Sequence, residues 1–189
     1  MSATEWIVVG AGIAILVIVA LLLIARVASS RRRTHLREQF GPEYERTVEV
    51  AGSRRQAEHE LVDRERQHSE LDLKPLSSSA RTRFNDEWQT IQQRFVDDPE
   101  GAAAQAERLV RRVMDERGYP PDNDTTDRAK LVSVDHPDIV DRYRHGCETL
   151  ERRSSARDER TETLRLAMVD FRAVLESLLE TDSELAGAR

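Results

Sequence analysis

The order of apolar and polar positions divides the chain into three regions of different character. Residues 6–25, WIVVGAGIAILVIVALLLIA, are twenty consecutive positions without a charge or a strong polar group. At about 1.5 Å rise per residue a helix of that length covers roughly 30 Å, the hydrocarbon thickness of a bilayer, so the run predicts one membrane-spanning helix. Residues 34–72 are the opposite. Glu, Arg and Gln dominate, and the apolar positions Tyr44, Val48, Ala51, Ala57, Leu61 and Leu71 are too sparse for a continuous coiled-coil seam. This stretch predicts a solvated helical stalk, broken near Gly52-Ser53, with a coiled coil as the alternative.

From Leu76 onward apolar residues recur at steps of three and four, the period of a helix with one buried face. One segment carries Ala80, Phe84, Trp88, Ile91 and Phe95, and the next carries Ala102, Ala106, Leu109, Val110, Val113 and Met114 before GYPP at 118–121. A short segment with Leu131 and Val132 follows. Two further segments hold Ile139, Val140, Tyr143, Cys147 and Leu150, then Leu164, Met168, Phe171, Val174, Leu175, Leu178 and Leu179. Three helix starts share one device, Gly41-Pro42-Glu43, Asp98-Pro99-Glu100 and His136-Pro137-Asp138: proline gives up an N–H that has no partner in the first turn, and the acid meets the positive helix end. Ser77, Ser78 and Ser79 suit the cap of the Trp88 helix. The body shows no alternating strand pattern. The predicted fold is therefore all-α: a short extracytoplasmic segment over 1–5, a transmembrane helix over 6–25, a basic juxtamembrane segment and charged helical stalk over 26–75, an antiparallel helical bundle over 76–181, and a flexible tail over 182–189.

Charge orients this arrangement. Glu5 is the one ionisable side chain in the first 25 positions, whereas Arg26, Arg31, Arg32 and Arg33 crowd the trailing side of the apolar run. The positive-inside bias then keeps the body in the cytoplasm and places the N-terminus outside the plasma (inner) membrane. A cleavable signal peptide is the rival, but it wants positive charge before a shorter apolar run, and IARVASS at 24–30 is a poor cleavage site. An exported bundle of inverted topology is the other alternative. Trp6 suits the outer interface, and Gly10 with Ala14 forms a small-xxx-small pair that permits homo-oligomerisation in the membrane. Setting Glu5 and those four arginines apart, residues 34–189 hold 25 basic and 34 acidic side chains, a net of −9. Such a body lacks the basic face that a nucleic-acid partner requires.

Candidate chemistry changes the picture little. GAG at 10–12 looks like a dinucleotide-binding turn, but position 15 is Ile where a small residue is needed, the following helix is apolar all round, and RRRTHLR stands where the ribose-binding acid belongs. His59-Glu60-Leu61-Val62-Asp63 has Asp where a zinc protease needs its second His. Asp122 and Asp124 suggest a calcium loop, yet Asp127 and Ser133 fill the positions that require Gly and a bidentate Glu. Cys147 is the single cysteine and reads as a small buried hydrophobe. His136 reads as a helix-start residue rather than a general base. The sequence thus predicts no catalytic, cofactor-binding or metal-binding residues, no cofactor, and a protein that is not an enzyme.

FGPEYERTV (40–48), LDLKPLS (71–77), RFVDDP (94–99), VMDERGYP (113–120) and DHPDIVDRYR (135–144), in this order, resemble an uncharacterised family of bacterial, mainly actinobacterial, membrane-anchored proteins. The resemblance covers about residues 40–150 and implies a single N-terminal span followed by a helical domain. It carries no activity and no site residues. The expected function is a single-pass anchor presenting a cytoplasmic bundle to a protein partner, as a scaffold or tether. The alternative is a membrane-anchored hydrolase or small-ligand sensor whose site forms only in three dimensions, around Arg117, Tyr119, Asp135 and His136.

Overall fold

A computed structural model of the chain describes residues 3–121, 125–151 and 157–187; the side chains of residues 1–15, 17, 25, 28, 29, 157, 158 and 181–189 lie outside that description. Among the described residues the chain is all-helical, with eight helices and no strand. The chain divides into two compact units, Met1–Gln39 and Phe40–Arg189.

The first unit consists of α1 (Ala3–Phe40) up to Gln39. The apolar run and the arginine cluster belong to one uninterrupted helix, because no Gly-Pro or polar turn separates them before Gly41. No helix is long and apolar enough to cross a membrane among the described residues. Positions 6–15, 17 and 25 of the uncharged run, with Trp6, Gly10 and Ala14, lie outside that description.

The second unit begins with α2 (Pro42–Ala51) and α3 (Arg54–Ser69), which pack against each other as a hairpin. The break falls at Gly52, in the left-handed region at φ 63°. The segment expected as a solvated stalk is helical but folds back: Tyr44, Ala57 and Leu61 are buried, and α3 packs on α6. Its apolar residues are few because each helix buries only a narrow stripe, so the sparse pattern resembles that of an exposed stalk.

The bundle follows as α4 (Ser78–Arg94), α5 (Pro99–Arg117), α6 (Thr125–Asp135), α7 (Val140–Glu151) and α8 (Arg157–Gly187). Ser77 caps α4, its hydroxyl accepting from the Ala80 N–H at 3.1 Å, and Asp98 caps α5 through the Gly101 N–H at 2.9 Å. Pro42 and Pro99 stand in the first turns of their helices, as expected. The third such start is displaced: residues 137–139 form a turn, and α7 begins at Val140. At the other end α8 continues through Gly187, beyond the expected boundary at 181.

Helix α5 lies between α4 and α8; α8 also packs on α7, and α7 on α6. Ala102, Ala103 and Ala106 are fully buried on α5, where small side chains let neighbouring helices approach. The same device recurs where α7 meets α8: a Cβ on Gly146 would lie 2.9 Å from Phe171 Cε1. The main core joins Phe84, Trp88, Leu109, Val113, Tyr143, Phe171 and Leu175 with their neighbours, and the hairpin residues Tyr44, Ala57 and Leu61 stand apart from it. Arg128, 2% exposed, fastens α6 to the end of α5 by donating to Asp115 Oδ1 at 2.6 Å and to the Pro121 carbonyl at 2.7 Å.

Candidate functional site

Two polar clusters dominate the body, and both involve the hairpin; in the first only Tyr119 is buried, with His68 and Asp135 partly open to solvent. The first begins where α5 stops. Gly118 has φ 102°, and a Cβ there would sit 2.6 Å from the Asp72 carbonyl oxygen, so only glycine lets the linker cross the helix end. The Lys74 N–H donates to the Arg117 carbonyl at 2.8 Å and holds that crossing. The turn buries Tyr119, whose hydroxyl donates to Asp135 Oδ2 at 3.0 Å. His68, at the end of α3, places Nε2 2.7 Å from the same oxygen.

Burial pushes the Tyr119 phenol far above its ordinary range, with the Asp135 charge adding to the effect, so the hydroxyl stays a neutral donor. Burial also raises Asp135, but the His68 and Tyr119 hydrogen bonds and the nearby imidazoles outweigh it and hold the carboxyl below the usual carboxylate range. A carboxylate so engaged is a poor general base; the arrangement clasps α3, the GYP turn and α6 together.

Of the four residues expected to converge, the structure joins Tyr119 and Asp135 directly. Arg117 and His136 stay close enough for their charges to act on Tyr119 and Asp135 respectively, and each also bonds to α8. Arg117 Nη1 donates to the Leu178 carbonyl at 2.6 Å, and His136 Nδ1 lies 3.0 Å from Ser177 Oγ. His136 is thus a tie to α8 that follows the end of α6, where its N–H donates to the Val132 carbonyl at 2.9 Å, and not the helix-start residue expected. His68 was not among the expected residues, since only the fold-back of α3 carries it across 67 positions to Asp135.

The second cluster is centred on Glu43, 1% exposed in the first turn of α2. Arg144 of α7 grips it with Nη1 at 2.6 Å from Oε2 and Nη2 at 2.8 Å from Oε1. Arg64 of α3 donates to Oε1 at 2.8 Å and also reaches Glu60 at 2.5 Å. Arg46 approaches Glu43 at 3.8 Å and Asp141 at 3.6 Å. Burial raises the Glu43 pKa, and the hydrogen bonds and charges of Arg144 and Arg64 more than reverse this, leaving it lowered. A cleft of about 290 Å³ beside the cluster is lined by Glu43, Arg46, Glu60, Arg64 and Arg144 with Thr125, Lys130 and Cys147. A wider cleft of about 880 Å³ opens between α3 and α6, with His59, Glu60, Asp63 and Lys130 in its walls. The arginines of the Glu43 cluster are already matched by Glu43, Glu60 and Asp141, so the cluster is an ion-paired joint between hairpin and bundle rather than an anion receptor.

The other candidate residues have ordinary surroundings. His59 Nδ1 pairs with Asp63 at 3.0 Å on the exposed face of α3. Among the described residues no three or more His, Cys, Asp or Glu are grouped to hold a metal ion. Asp122 and Asp124 lie outside the described residues. Cys147 is buried, and burial with the nearby Glu107 charge pushes its thiol up to about 12, the reverse of a nucleophile's environment. The chain matches no family model, no curated protein and no solved structure.

Proposed function

We propose that this protein is a single-pass membrane anchor whose helical body, on the cytoplasmic side, serves as a protein–protein interaction module, a scaffold or tether. The observation that carries this reading is the apolar run within the long helix α1. Leu16, Ile18, Val19, Leu21, Leu22, Leu23 and Ile24 are 47–71% exposed, and consecutive exposed positions cover every side of the helix. An apolar helix exposed all round finds its favourable environment in lipid. The four arginines that follow support retention of the body in the cytoplasm, and the sequence resemblance to bacterial membrane-anchored proteins points the same way.

The hydrolase or sensor reading is less well supported, since Tyr119 and Asp135 are fastened to each other and to His68 rather than presented to a cleft. Inverted topology would require four arginines to cross. Carbonate extraction of cell membranes tests the anchor. The full chain should remain in the pellet, and a chain beginning at residue 34 should be released; release of the full chain would refute the reading.

A further inference from the structure

Helix α1 carries the uncharged run and the segment after it without a break, so residues 26–37 continue the axis of the run instead of hanging from it as a loose tail. Five of those twelve positions are arginine, at 26, 31, 32, 33 and 37, and none is acidic. With about 3.6 residues per turn, Arg26, Arg33 and Arg37 stand close to two and three whole turns apart and form one stripe, whereas Arg31 and Arg32 fall on the far side. Cationic groups therefore surround the helix. Arg31 and Arg32 are exposed, and neither makes a hydrogen bond or ion pair among the described residues.

We infer that this arginine collar binds the headgroups of anionic phospholipids, with Arg31 and Arg32 as the groups that take their phosphates. The inference rests on the anchor reading and adds the class of lipid the anchor selects. Ala25 closes the uncharged run, and Arg31 and Arg32 follow it by about 9 and 10.5 Å along the axis. Side chains on a helix lean toward its N-terminus, here toward the run, and the long arginine stems reach further back in the same direction. Their guanidinium groups then lie at the level of the headgroups, which extend about 5–8 Å beyond the hydrocarbon on each face. A guanidinium donates two parallel N–H bonds to phosphate oxygens, so each arginine matches one headgroup.

Position and charge together select this occupant. Arginines set orientation during insertion, but the inserted chain keeps two unpaired guanidinium groups beside the leaflet, where anionic lipid is the counter-charge at hand. Acids of the body are the competing counter-charge, since residues 34–189 hold a net of −9, yet none pairs with Arg31 or Arg32 among the described residues. A nucleic acid would have to approach the collar past that acidic body, which repels phosphate.

The test uses the full chain in nanodiscs made from equal amounts of phosphatidylglycerol and phosphatidylcholine. The protein is withdrawn in mild detergent, and the lipids it retains are quantified by mass spectrometry. One arginine near an anionic surface is worth about fivefold, so retained lipid should favour phosphatidylglycerol by roughly tenfold or more. The double variant R31Q/R32Q should lower that preference at least roughly fivefold, and R31K/R32K should keep most of it. Washing in about 1 M sodium chloride, where the screening length is about 3 Å, should erase it. Both positions are exposed and unbonded, so the substitutions leave the fold intact, which circular dichroism verifies. Equal retention of the two lipids, a preference unchanged in R31Q/R32Q, or displacement of the lipid by inorganic phosphate, the mark of a site for soluble anions, would each overturn the inference. Carbonate extraction separates the two readings. A chain that resists extraction yet shows no preference overturns this inference alone; a chain released by carbonate overturns the anchor and this inference with it.

Discussion

Removal of the Glu43 carboxylate should undock the α2–α3 hairpin without unfolding the bundle. Glu43 is 1% exposed, and it faces Arg64 and Arg144, whose side chains are 8% and 11% exposed. Breaking a buried ion pair by deleting one partner costs about 3–5 kcal/mol, because the remaining charge stays buried without compensation. Arg64 keeps Glu60 and Arg144 keeps Asp141, which places Glu43→Ala near the lower end, about 3 kcal/mol. Tyr44, Ala57 and Leu61 lie outside the main core, so this loss falls on a separately docked element. Hydrogen exchange reads it directly. Amides of α2 and α3 should exchange roughly 100-fold faster while those of α5 and α8 keep their protection. The pH dependence has a fixed sign. The folded Glu43 pKa is lowered, so its contribution is present above the unfolded carboxylate value of about 4.3 and is lost as pH falls through the folded value. Glu43→Gln should flatten that part of the acid transition. Unchanged protection in the hairpin, or equal loss in every helix, would refute the reasoning.

Two further outcomes test the packing and the chemistry. Gly146→Ala should destabilise the body by about 1–2 kcal/mol in urea denaturation despite alanine's better helix propensity, because the new methyl meets the fully buried Phe171 ring; adding Phe171→Leu should remove that penalty. With a thiol pKa of about 12, Cys147 should react with iodoacetamide at pH 8 at least roughly 1,000-fold more slowly in the folded protein than in denaturant, as followed by mass spectrometry.

The bundle was legible because α4, α5 and α8 each bury a stripe whose period shows in the sequence, with Ser77, Asp98 and Gly118 marking ends by local chemistry. The hairpin was not, because Tyr44, Ala57 and Leu61 are too few to distinguish a docked helix from a solvated one. Its docking relies on charges such as Glu43 and Arg144, which are 101 positions apart and look like surface residues in isolation. The same limit hid His68 from the Tyr119–Asp135 pair.

The central claim is an anchored body facing the cytoplasm, and paired reporter fusions at the C-terminus test it most directly. The account predicts a membrane-bound, fluorescent green-fluorescent-protein fusion and an inactive alkaline phosphatase fusion. An active phosphatase fusion with a dark fluorescent partner would contradict the orientation, and fluorescence recovered wholly in the soluble fraction would contradict the anchor itself.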